Sequence, residues 1–168
     1  MIIIVEGIDR VGKSTLCKML SDKLSIKIFK HEGIMKNSLK DSLNETDKLL
    51  EVLELSEMLK GNLIFDRFHL TDYVYGVVQR GYNERDAFNN FAILDSRIAK
   101  TDEYAFLFLV KPVDIVRSSQ EHGYDLSEHD SRFQYLFEES RIKNKCCVTY
   151  DTLQDAITFV DRILFGGY

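Results

Sequence analysis

The chain predicts an α/β fold in which a five-stranded parallel sheet carries helices on both faces, and two observations lead there. Short apolar runs at Ile2 to Val5, Ile26 to Phe29, Leu63 to Phe65, Ala105 to Val110 and Cys146 to Tyr150 alternate with amphipathic stretches. Such alternation is how parallel strands joined by crossover helices read. Directly after the first run stands GIDRVGKS, Gly7 to Ser14, a GxxxxGKS loop that opens onto a helix-patterned segment. This spacing, between a buried-type strand and a helix, marks a phosphate-binding loop (P-loop) of the P-loop NTPase class.

The elements follow in order. Beyond the loop, Leu16, Met19, Leu20 and Leu24 repeat on one helical face. Leu39, Leu43, Leu50 and Leu53 form a second apolar stripe after the second strand, and the third strand ends at Asp66-Arg67, just before a helix starting near Leu70. Tyr73, Val74, Val77 and Val78 line that helix. The polar stretch SSQEHGYDLSEHD, residues 118–130, lies between two helix-like segments and reads as a closing lid or as a plain solvated connection. Leu153, Ile157, Val160 and Leu164 give the last helix its one-sided stripe.

Composition narrows the class. With 168 residues, one proline and no repeats or low-complexity tracts, a single domain over 1–168 is expected. No stretch reaches the roughly 20 apolar residues of a membrane span, so no membrane partner is expected. Three cysteines without CxxC spacing point to reduced thiols and a cytoplasmic setting. A net charge of −5 argues against a nucleic-acid polymer as partner, yet admits a small anion held by a local cluster.

The loop carries the chemistry. The backbone N–H groups of Gly7, Ile8, Asp9, Arg10, Val11 and Gly12 can converge on phosphate oxygens, aided by the dipole of the following helix. Lys13 reaches the β and γ phosphates of ATP, and the Ser14 hydroxyl is the expected Mg²⁺ ligand. Asp9 is either a turn former or a functional carboxylate, and Arg10 either a solvated residue or a cation supplied in cis to the transferring phosphoryl. At the end of the third strand, Arg67 can fork onto a phosphate and Asp66 can hold Mg²⁺ through water, unless the two make a local ion pair.

The segment IIIVEGIDRVGKST resembles the P-loop of eukaryotic-type thymidylate kinases, and DRFHLTDYVYG, residues 66–76, is similar to that family's DRY motif. The run TYDTLQDAITFV resembles its loop beside the adenine of ATP, which brings in Thr152. The resemblance implies that Lys13, Ser14 and Thr15 hold ATP·Mg²⁺, that Asp9 meets the acceptor's 3′-hydroxyl, and that Arg67 holds the acceptor monophosphate. It further implies a metal-ordering role for Asp66, an acceptor pocket lined by Thr71 and Tyr75, and a lid Tyr124 that reaches the acceptor on closing. Lys13, Arg10 and Arg67 are then the catalytic cations, and Arg10 matches a lid without Arg or Lys over 118–130. A homodimer through helices is a further implication of the resemblance.

Departures from the family leave the base open. No aromatic or arginine stands in LLEVLELSEMLKGN, where the family reads thymine, and Lys30, His31, Glu32 and Lys36 replace its arginine after the second strand. The expected reaction is transfer of the γ-phosphoryl of ATP to a deoxynucleoside 5′-monophosphate, dTMP or a related pyrimidine nucleotide. One rival is a deoxynucleoside kinase acting on a 5′-hydroxyl, for which Glu32 is the available base. The other is an ATP-binding protein without catalysis.

Overall fold

The computed structural model describes residues 1–30, 47–54, 61–101 and 104–166. His31, Glu32, Lys36, Leu39 and Leu43 lie outside the described residues. The five expected strands are β1 (Ile2–Glu6), β2 (Lys27–Lys30), β3 (Leu63–Asp66), β4 (Ala105–Lys111) and β5 (Asn144–Thr149), all parallel in the order β2-β3-β1-β4-β5. The apolar strands β1 and β4 are buried almost throughout, because helices cover both faces of the sheet.

Helix α1 (Lys13–Leu24) buries Leu16, Cys17 and Leu20, while Met19 and Leu24 of the expected stripe are only partly covered. Helix α2 occupies residues 47–54, with Leu49 and Leu53 buried. Helix α3 (His69–Arg80) buries every residue from His69 to Gly76, since α4 (Glu84–Thr101) and α6 (Ser127–Glu139) both pack on it. The remaining helices are α5 (Ile115–His122) and α7 (Leu153–Phe165), the latter resting on β5 and α1. No helix among the described residues is long and apolar enough to cross a membrane.

Two boundaries differ from the sequence reading. The fifth strand stops at Thr149, and Tyr150 opens a 3₁₀ turn, Tyr150–Thr152, in which Thr149 and Thr152 cap one another. Stretch 118–130 is mostly helical, because Asp114 caps α5 by accepting from the N–H groups of Val116 and Arg117 and Gly123 ends it. Only residues 123–126 connect α5 to α6.

Sheet order sets the position of the site. The chain leaves β1 for β2 and β3 on one side and later returns to β4 and β5 on the other, so a crevice opens at the carboxyl ends around β1. Val5 pairs with Asp66 on one flank and Phe108 on the other, which brings the start of the P-loop level with Arg67. The Arg67 N–H donates to the Val5 carbonyl at 3.0 Å.

The end of α3 shows how tightly these helices are seated. The Tyr82 N–H folds back onto the Gly76 carbonyl at 3.0 Å, and a Cβ at Gly76 would lie 2.3 Å from Tyr82 Cδ2. We expect Gly76→Ala to cost about 1–3 kcal/mol in urea unfolding through overpacking. In a Tyr82→Ala background the same change should raise stability by about 1 kcal/mol, because only the helix propensity remains. Equal effects in both backgrounds would refute the steric reading.

Candidate functional site

A polar cleft of about 580 Å³ lies at the carboxyl edge of the sheet. Its floor is the P-loop, with Gly12, Lys13, Ser14 and Thr15, and its far wall carries Asp66, Arg67 and Lys30. The loop needs its first glycine: Gly7 has φ 137°, and a Cβ there would sit 2.2 Å from the Val110 carbonyl oxygen of β4. Ile8 and Val11 are buried and pin the loop to the core.

Lys13 is buried, and its ammonium donates to the Ile8 carbonyl within the loop. Burial brings its pKa down from 10.5 to about 8, against the opposing pull of Asp66 and Glu6. Ser14 Oγ donates to Asp66 Oδ2 at 2.8 Å, so the two expected metal groups already converge. A hydroxyl and a carboxylate are hard oxygen donors of the kind Mg²⁺ takes, and that ion commonly completes its shell with phosphate oxygens and waters. The residues present therefore fit it.

Arg67 and Asp9 form an ion pair across the cleft. The Arg67 guanidinium also lies over the Tyr75 ring, 5.6 Å from its centroid. Arg10 points its guanidinium at the Glu121 carbonyl, 3.4 Å away at the end of α5. Both arginines hold left-handed backbone conformations, with φ 62° at Arg10 and φ 74° at Arg67. Non-glycine residues held so are strained and concentrate at functional sites.

Other residues fall farther out. Burial pushes the Tyr75 phenol up to about 12, with Arg67 opposing, and its hydroxyl meets no hydrogen-bond partner among the described residues. Thr71 is buried and donates to Glu6 Oε2 instead of lining the cleft. Tyr124 accepts from Gln79 Nε2 at 3.3 Å and lies tilted beside His129, whose ring in turn sits 5.1 Å from that of Tyr75. Thr152 Oγ1 accepts from the Thr149 N–H at 2.9 Å and is also outside the described lining. Arg117 of α5, one residue before the stretch that lacks Arg and Lys, pairs with Glu121 at 3.0 Å. Arg132 binds Glu84 and Glu128, and Arg97 binds Glu54.

Sequence reasoning missed Glu6 and Tyr150, and named Lys30 only as one of the residues after the second strand. Glu6 is fully buried and accepts from the N–H groups of Phe68 and Leu70 as well as from Thr71. Its signal was a lone carboxylate ending an apolar strand. Lys30 and Tyr150 line the cleft, and each stands at the carboxyl end of a strand, the edge where ligands of such sheets bind.

Solved structures of the same shape exist. The YorR protein from Bacillus subtilis, solved in complex with phosphorylated GDP, matches at TM-score 0.66 and 16% identity over 100% of both chains. Thymidylate kinase from Ehrlichia chaffeensis matches at 0.63 and 16% identity over 95% of this chain and 97% of that one. Deoxyadenosine kinase from M. mycoides, with dCMP and dCDP bound, matches at 0.55 and 17% identity over 98% and 97%. No protein-family model matches the chain, and no curated protein matches it. The fold is that of the thymidylate kinase-like P-loop kinases.

The depressed pKa of Lys13 has a measurable consequence. A triphosphate bound at Lys13 would favour the charged ammonium, whereas above about pH 8 the free protein holds it neutral. Binding must then take up a proton, so ATP affinity should fall as pH rises from 7 to 9.5, approaching tenfold per unit at the upper end. Calorimetry in buffers of different ionisation enthalpy reads that uptake directly. Affinity that is flat across this range would exclude Lys13 as the titrating contact.

Proposed function

We propose that the chain transfers the γ-phosphoryl of ATP to the 5′-phosphate of a deoxynucleoside monophosphate, dTMP or a related pyrimidine nucleotide. The observation that carries this reading is one cleft with two phosphate grips: the P-loop with Lys13 on one side, Arg67 with Lys30 on the other. Neighbours of the same fold include thymidylate kinases and a deoxyadenosine kinase.

In this mechanism the acceptor phosphate is already a nucleophile at neutral pH and needs no general base. Catalysis is positioning and charge neutralisation. Lys13 leaves the Ile8 carbonyl for the β and γ oxygens, Arg10 leaves the Glu121 carbonyl for the transferring group, and Arg67 turns from Asp9 to the acceptor phosphate. Asp9 is thereby freed for the sugar hydroxyl, while Tyr75 and Tyr124 flank the nucleoside. Ser14 and Asp66 would hold Mg²⁺, which when bound would add to the neutralisation of the phosphate oxygens. Thr71 acts through Glu6, as a positioning residue for Arg67.

A nucleoside acceptor would require a free carboxylate near its 5′-hydroxyl. Among the described residues Glu6, Asp9 and Asp66 are all engaged, by α3, Arg67 and Ser14 respectively. Glu32, the base named for that rival, lies outside the described residues, so the acceptor panel decides between the two.

The test is ATP consumption against a panel of deoxynucleoside monophosphates, with the nucleosides as controls. Monophosphates should be turned over and nucleosides ignored; nucleoside phosphorylation alone, or ATP hydrolysis without phosphorylated product, would sink the proposal. Lys13→Ala and Arg10→Ala should lower turnover by about 10³-fold, and Arg67→Ala should raise the acceptor KM more than the ATP KM. Arg10→Gly should lose turnover equally yet stay within about 1 kcal/mol of wild-type stability, because glycine tolerates the left-handed backbone. A folding defect in Arg10→Gly would instead assign that arginine a structural role.

A further inference from the structure

Two imidazoles are buried among the described residues, and they are held differently. His69 meets the Asp95 carboxylate at 3.2 Å. His129, in the first turn of α6 and only 3% exposed, has Gln79 as its hydrogen-bond partner: its Nε2 lies 3.2 Å from Gln79 Nε2. Its Nδ1 is buried and meets no partner among the described residues. The proposed phosphoryl transfer makes no use of this ring.

What the ring holds together is specific. Gln79 Nε2 also donates to the Tyr124 hydroxyl at 3.3 Å, and the imidazole lies 5.9 Å from the Tyr124 ring and 5.1 Å from that of Tyr75. One side chain of α6 thereby ties the connection 123–126 to α3. Tyr75 in turn carries the Arg67 guanidinium, 5.6 Å from its centroid. The contacts run to the Arg67 side of the cleft and not through Lys13.

A neutral ring suits this place and a charged one does not. An imidazolium has two N–H donors, and whichever way the Gln79 amide is turned only Nε2 has a partner, which leaves a charged Nδ1–H buried and unpaired. The positive end of the α6 dipole adds to that cost. Glu128 and Asp125 favour a proton on the ring, Arg132 opposes it, and Tyr75 and Tyr124 are the other titratable groups packed against it. Burial prevails and holds the pKa below its ordinary 6.5. As pH falls through that value, an undocked ring takes up its proton before the docked one. Docking therefore weakens from about pH 6.5 downward and stops weakening only below the docked pKa.

We infer that His129 is a positioning residue: as a neutral ring it holds residues 123–126 on α3, and in acid it lets them go, which loosens the Arg67 side of the cleft and not the P-loop. Its consequence for turnover rests on the proposed acceptor site beside Arg67, Tyr75 and Tyr124.

The test follows hydrogen exchange of the free protein from about pH 7.5 to about pH 5.5, each rate corrected for its intrinsic pH dependence. In wild type, amides of residues 123–133 should lose protection relative to those of α1 by up to about tenfold per pH unit. His129→Phe, which keeps a ring between the two tyrosines, should show no such slope, and His129→Gln supplies the same comparison where the aromatic variant folds poorly. His122, whose ring is 6.0 Å from that of Tyr124, stays in every protein compared. Acceptor KM should rise in acid more steeply in wild type than in His129→Phe, while the ATP KM runs parallel in both. The acceptor phosphate itself gains a proton at about pH 6, a contribution common to both proteins. Equal exchange slopes in wild type and variants, or equal loss across α1, overturn the inference, because acid would then act elsewhere or open the whole chain. A chain that turns over no monophosphate yet keeps the contrast in exchange removes the kinase reading and leaves the acid-released contact standing.

Discussion

One buried carboxylate joins the two halves of the site. Helix α3 begins at His69 with Phe68 as its cap residue, and Phe68 has no side chain able to satisfy the first-turn N–H groups. Glu6, from the end of β1, does so instead, taking the N–H groups of Phe68 and Leu70 and the hydroxyl of Thr71. A carboxylate removed from water is costly unless such donors surround it, and the positive end of a helix dipole adds to their effect. Glu6 immediately precedes Gly7, and Phe68 immediately follows Arg67. The bond therefore fixes the start of the P-loop against the start of α3, and with them the Lys13 and Arg67 sides of the cleft.

That rigid frame is what lets two arginines stay strained. Left-handed φ at Arg10 and Arg67 costs each residue of order 1 kcal/mol or more, sustained only where the surroundings over-determine the backbone. At Arg67 the constraint is explicit: its N–H is bonded to Val5, its following residue to Glu6, and its guanidinium to Asp9. Helix α3 is itself anchored from behind. His69 Nε2 meets Asp95 at 3.2 Å, and Asp95 also accepts from Ser140 Oγ and the Arg141 N–H. Burial works against the charge of Asp95, yet those three donors hold its carboxyl below the ordinary range.

Legibility in the sequence followed how local each feature is. The P-loop spacing, the five apolar runs and the stripes of α3 and α7 depend on neighbours within one turn or one strand, and the structure has them at or near the expected positions. Glu6 and Thr71 were illegible because their meaning depends on residues more than 60 positions apart, joined by the register of β1 with β3. Stretch 118–130 looked like loop because its composition is polar throughout. Caps decided otherwise: Asp114 and Gly123 make a helix of α5 although it buries none of its residues. Tyr150 read as the end of a strand, since the Thr149–Thr152 cap that turns the chain is a pairing of side chain with backbone, not of hydrophobic pattern.

The cleft carries a local charge that the net charge conceals. The whole chain carries −5, whereas the described cleft lining sets Arg10, Lys13, Lys30 and Arg67 against Asp9 and Asp66, four cations to two anions. Low-dielectric walls focus such a local field. Much of the positive charge is held in reserve: Lys13 on Ile8, Arg10 on Glu121 and Arg67 on Asp9 are each bonded within the protein. On the proposed reading, each phosphate group that enters exchanges one of these internal bonds for its own. The cations are thus already in place when charge redistributes in the transition state, and little reorganisation is left for the reaction itself.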